Sequence, residues 1–129
     1  MAESWCFFMT IKNITRNNKI ISIVSSDNIL LKDIQSALNL ISMVSQDNQF
    51  YKLIVIDKKN VDEELFVLSN GRLGEILQKF INYNIKIAIY GDYSKYTSKP
   101  LQDFIYESNK GKDIFFADSL EDAIKKLSN

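Results

Sequence analysis

Residues 65–92, LFVLSNGRLGEILQKFINYNIKIAIYGD, read as a turn, an amphipathic helix and a buried strand in direct succession, and they hold three of the four glycines, Gly71, Gly74 and Gly91. Leu73, Ile76, Leu77 and Phe80 recur at i, i+3, i+4 and i+7, so they share one face at 3.6 residues per turn. Ile85, Ile87, Ala88 and Ile89 follow at once, so the surface expected to cover that face is a sheet.

Upstream, Leu53–Ile56 is an unbroken apolar run between Lys52 and Asp57, the pattern of a strand covered on both faces in a parallel sheet. Before it, Ile34, Ala37, Leu38 and Ile41 mark the inner side of a helix that begins near Asp33. Residues 11–15 and 19–24 alternate or run apolar around Asn17-Asn18, a pair that tolerates positive φ, and predict a hairpin. Downstream, Pro100 suits the first turn of a helix with Leu101, Phe104 and Ile105 on its inner face, and Gly111 is expected to end it in a left-handed conformation. Asp113 to Ala117 predicts the last strand, and Ser119-Leu120-Glu121-Asp122 opens the closing helix with the pattern that satisfies free amides. The order β-β-α-β-α-β-α-β-α implies one α/β domain, a mainly parallel sheet of about five strands with an antiparallel N-terminal strand and four helices.

The 129 residues suffice for one core, here placed in residues 9–129, and residues 1–8 read either as an extension or as an extra strand whose Trp5 and Phe7 cover an edge. Sixteen basic and sixteen acidic side chains cancel, which argues against a nucleic-acid partner. One cysteine, Cys6, suits a reducing compartment, and the apolar runs are too short for a membrane span, so a cytoplasmic protein is expected. Without histidine, zinc centres and His-based catalysis are not expected. Gly71-x-x-Gly74 is too short for a dinucleotide fingerprint, and a Gly-Lys-Ser/Thr phosphate loop is lacking. No catalytic residue, metal or cofactor is assigned.

Two regions qualify as candidate sites. Ser69, Asn70, Gly71, Arg72 and Glu75 surround the start of the central helix, where Ser69 or Asn70 would serve first as an N-cap and Ser69 second as a phosphorylation site beside Arg72. Asp57, Asp92, Tyr93 and Tyr96 lie where strands end, the usual ligand edge of an open α/β sheet. There they suit turn and helix capping, a nucleotide or acyl-phosphate with Tyr90, Lys95 and Lys99, or a receiver-like phosphoacceptor at Asp57.

GEILQKFINYNIKIAIYGDYSKYTSKPLQDFIYESNKGKDIFF, residues 74–116, resembles the core of a bacterial family known as domain of unknown function 4180, and the similarity runs from about Met9 to the C-terminus. That family carries no assigned activity. More distantly, the order of elements is similar to the STAS domains, named for sulfate transporters and anti-sigma factor antagonists. Leu68-Ser69-Asn70-Gly71-Arg72 stands in the place of their Asp-Ser-Ser-Gly-Leu turn and DSLEDA, residues 118–123, resembles their last helix start. The resemblance implies a regulatory domain without catalysis that meets a protein partner, with Ser69 where such antagonists are phosphorylated; Leu68, Asn70 and Arg72 depart from that pattern. The expected function is therefore a regulatory protein-interaction module, compatible with a homo-oligomer. The alternative is a small-ligand binder or carboxylate-based enzyme at the strand ends.

Overall fold

The computed structural model describes residues 9–44, 52–67 and 71–129; the N-terminal segment with Trp5 and Phe7, and Ser69 and Asn70, lie outside the described residues. A hairpin opens the chain, β1 (Thr10–Arg16) and β2 (Lys19–Ser25), turned by Asn17 and Asn18 at φ 53° and 65°. Both residues adopt the left-handed conformation that a two-residue turn of this twist needs and that asparagine accepts. Then come α1 (Ile34–Val44), β3 (Lys52–Asp57), two single 3-10 turns at Lys58–Asn60 and Glu63–Phe66, α2 (Arg72–Asn82), β4 (Ile85–Tyr90), α3 (Lys99–Lys110), β5 (Ile114–Ala117) and α4 (Leu120–Ser128). The strands form one sheet in the order β1-β2-β3-β4-β5, antiparallel at β1–β2 and parallel thereafter.

Alternation along each strand divides the core in two. Val24, Ile54, Ile56, Ile85, Ile87, Ile89 and Phe116 share one cluster with the buried faces of α1, α2 and α3. Leu73, Ile76, Leu77 and Phe80 of α2 are at most 2% exposed there, so the face read from the sequence is the buried one. The intervening residues Ile21, Leu53, Val55, Ala88 and Ala117 form the second cluster with Ala123, Ile124 and Leu127 of α4. Alanines at 88, 117 and 123 leave room for α4 to lie close to the sheet. Arg16 is paired with Glu121 at 2.9 Å, and Asn17 Nδ2 and Lys19 Nζ donate to the carbonyls of Ser128 and Asn129, which ties α4 to the hairpin.

The helix ends are set by local chemistry. Ser98 Oγ accepts from Leu101 N with Pro100 in the first turn of α3, and Ser119 Oγ accepts from Asp122 N at the start of α4. Gly111 departs from expectation: it is extended, at φ −86° and ψ −159°, rather than left-handed. Gly111 N donates to the Ser108 carbonyl, and Asn109 exchanges two bonds with the Phe116 backbone, 2.7 and 3.1 Å, so a side-chain clamp rather than a left-handed residue directs the chain into β5. Among the described residues no helix is long and apolar enough to cross a membrane.

Candidate functional site

Because β2 to β5 are parallel, their carboxyl ends meet on one edge, with Asp57 in register beside Tyr90 and Tyr90 beside Ala117. Asp57 and Lys58 are consecutive but enter different environments. On the Asp57 side lies an open cavity of about 360 Å³, walled by Thr10, Ser25, Ser26, Asp27, Asp57, Lys59, Asn60 and Tyr90. Asp57 Oδ1 accepts from Lys59 N at 2.9 Å, which caps the first 3-10 turn, and the same carboxylate stands beside Tyr90 in the strand register. Burial first, and then the Asp57 charge, push the Tyr90 hydroxyl above its ordinary range.

Asn60 anchors this cavity. It is 1% exposed, and its Nδ2 donates to the carbonyls of Ser26 at 2.7 Å and Asn28 at 2.8 Å. Its own carbonyl accepts the amides of Leu30 and Leu31, so one residue closes the loop after β2 onto the loop after β3. The Asn60 Oδ1 atom is buried and meets no donor among the described residues.

On the Lys58 side the space is filled. Lys58 Nζ lies 4.8 Å from the centre of the Tyr96 ring, 5.2 Å from Phe66 and 6.0 Å from Tyr93, and 3.5 Å from Glu63 Oε1. Such a placement over ring faces attracts a cation, more strongly when water is excluded, and this side chain is only 13% exposed. Gly91 makes the approach feasible, since a Cβ there would stand 2.6 Å from Lys58 Cβ. The Tyr96 hydroxyl donates to Glu63, and Lys95 Nζ reaches the same carboxylate at 3.1 Å. The Tyr96 bond, with Lys95 and Lys58, holds Glu63 below its ordinary value. Tyr93 donates to the Ile89 carbonyl at 2.9 Å, and burial raises its hydroxyl far above the ordinary tyrosine range.

The start of α2 forms a third area. Gly71 occupies the N-cap position at φ 68°, and the capping and phosphorylation readings of Ser69 and Asn70 fall outside the described residues. The Arg72 guanidinium donates to the Lys32 carbonyl, joining α2 to the loop before α1. Gly74, Glu75 and Gln78 are exposed, and with Ile34 and Lys79 they line a shallow hollow between α1 and α2. Gly74 has no justification among the described residues: its φ is helical, and a Cβ added there meets none of them within 4 Å.

Thus the structure joins Asp57 to Tyr90 in the cavity and Tyr93 to Tyr96 around Lys58. Asp92 joins neither: it is exposed and accepts from Ser94 N at 2.8 Å in a turn-capping role, and the Ser94 hydroxyl first and then that amide lower its carboxyl. Gly71, Arg72 and Glu75 stand together at the α2 start. Sequence reasoning missed Ser25, Lys59 and Asn60 as lining groups of the cavity and Lys58 as the group that fills the space beside it. Spacing in 57-DKKNVDEE-64 carried a signal for part of this, since Asp57 and Asp62 each cap the amide two residues on. Among the described residues, no three of His, Cys, Asp and Glu come together as a set able to hold a metal ion.

No curated protein and no solved structure matches the chain. A family profile described as a domain of unknown function, DUF4180, matches residues 16–127, from the last residue of β1 into the final turn of α4. Since the match spans every helix and the four parallel strands, the chain belongs to the DUF4180 family.

Proposed function

We propose that this domain is a regulatory module of the bacterial cytoplasm that works without catalysis, binding a protein partner over the start and outer face of α2. Gly74 carries the proposal. An interior helical glycine costs about 1 kcal/mol relative to alanine, and neither backbone conformation nor packing among the described residues calls for one here. A partner backbone or side chain that approaches the helix closely supplies the missing reason. Glu75, Gln78 and Lys79 then furnish polar contacts along the same strip, and Arg72 fixes the angle of the helix through Lys32.

The element order, similar to that of STAS domains, supports the regulatory part of the reading. So does the edge chemistry: Asp57, Glu63 and Asp92 already accept hydrogen bonds that shape the loops. Phosphorylation of Ser69, three residues before Arg72, would add nearly two negative charges beside the positive end of α2 and so alter the same surface.

The test separates stability from binding at one atom. Gly74→Ala is expected to raise stability by roughly 0.5–1 kcal/mol while weakening partner capture, and Gly74→Arg is expected to abolish capture with the fold unchanged. Comparative capture from a bacterial extract with the three baits, followed by sedimentation to identify self-association, reads both effects. Equal capture by all three would remove this surface.

A further inference from the structure

We propose that the cavity between the carboxyl ends of β2 and β3 binds a small donor-rich molecule, a polyol or an amine, and rejects phosphate. The proposal stands apart from the partner surface, because the cavity residues lie before α1, at and just after the end of β3, and at the end of β4, and none belongs to α2.

The hydrogen-bonding capacity of the walls decides the ligand class. An ionised carboxylate offers about four acceptor sites, and Asp57 uses one for Lys59 N, leaving acceptor capacity for a ligand. Asp27 adds a second carboxylate on an exposed position. Asn60 adds the buried Oδ1 that meets no donor among the described residues. Its amide orientation is fixed by the two carbonyls that its Nδ2 serves, so the orphaned atom is an acceptor. An unsatisfied buried acceptor is costly, and since Asn60 lines the cavity, a donor that reached in as far as its side chain would remove that cost. Against these acceptors, Lys59 is the charged donor in the lining, while the Ser25 and Thr10 hydroxyls can act in either sense.

Charge and backbone geometry exclude the anion. Two carboxylates face one ammonium, so a phosphate would meet net repulsion. Phosphate sites in α/β proteins draw on helix first turns and glycine-rich loops. Here the lining holds no glycine, and Lys59 and Asn60 belong to one 3-10 turn whose Lys59 amide is already bonded to Asp57. Hydroxyl pairs or an ammonium group match what remains, and a volume of about 360 Å³ admits a ligand the size of a pentose or a short diamine.

Amide chemical shifts of the isotope-labelled full chain, titrated with ribose, putrescine and inorganic phosphate at constant pH and ionic strength, test the proposal. Saturable shifts at Ser25, Ser26, Asp27, Lys59 and Asn60 are expected with ribose if hydroxyls are recognised and with putrescine if the ammonium is, and not with phosphate. Asp27→Asn, an exposed change, should weaken the effective probe about tenfold, or ~1.4 kcal/mol, without moving the melting temperature. Saturation by phosphate, absence of a saturable response to both other probes, or undiminished binding by Asp27→Asn would each overturn it.

Discussion

Two neighbouring hollows at the carboxyl end of β3 were given similar raw material and put to different use. On one side Lys58 fills the space itself, ringed by Phe66, Tyr93 and Tyr96 and paired with Glu63. On the other, Asp57, Asn60 and Tyr90 bound an open cavity, and a buried acceptor has no donor among the described residues. Tyrosines, acids and lysines occur in both, so composition does not distinguish a structural plug from a binding site. Satisfaction does. Where each polar group has found its counterpart within the chain the cluster rigidifies the loops, and where acceptors outnumber donors a ligand has something to contribute.

Asn60→Ala should break this contrast most severely. It removes both donors from the Ser26 and Asn28 carbonyls at a buried position, and a loss of about 2–3 kcal/mol is expected from unmade bonds of this kind. Urea unfolding measures the loss, and faster amide exchange at Leu30 and Leu31 should accompany it because the backbone carbonyl of residue 60 that accepts them is held in place by the side-chain bonds that are removed. A loss below roughly 0.5 kcal/mol, the ordinary scale of surface changes, would show that the cavity is not anchored by this residue.

Lys58→Met sharpens the contrast with a smaller effect. Methionine keeps an adaptable apolar stem beside Gly91 and deletes the ammonium, so the cation–ring attraction and the exposed Glu63 pair are lost together. About 1–2 kcal/mol is expected, most of it from the rings, since a pair with Glu63 more than half exposed contributes little. Titration of the cavity by ribose or putrescine should be unchanged. A changed affinity would mean that the plug and the cavity act as one site.

The same contrast marks where sequence reading succeeds. Periodicity located α2 and its buried face because Leu73, Ile76, Leu77 and Phe80 face a continuous apolar layer, and such packing repeats with the helix. The hairpin turn and the Ser119 cap were legible for a related reason, namely that each is settled by residues adjacent in sequence. Lys58 and Asn60 lacked any such signature. Their roles depend on Tyr93 and Tyr96 from one distant loop and on Ser26 and Asn28 from another, brought close by the parallel register and by the isolated bridge of Leu31 with Val61. Gly111 was misread because the Asn109 clamp on Phe116 is likewise a contact between elements. Asp57 was named as a strand-end acid, and the turn it caps through Lys59 N was legible from residues adjacent in sequence.

Tyr93→Phe gives the mildest and most selective probe of the filled side. The Tyr93 hydroxyl bonds to the Ile89 carbonyl, so its removal should cost about 1 kcal/mol at neutral pH. Burial raises its folded-state value above the ordinary 10, and Tyr96 is raised too, by burial and by its bond to Glu63. Above pH 10 the unfolded chain releases protons that the folded chain retains, so these groups' contribution is complete below that pH and declines as pH rises further. Urea midpoints measured from pH 7 to about pH 11 should therefore fall along a slope that Tyr93→Phe makes shallower without abolishing it, because Tyr96 still titrates. An unchanged slope would mean that water reaches the Tyr93 hydroxyl, and a cluster wetted in that way could not be the closed plug that sets it apart from the open cavity.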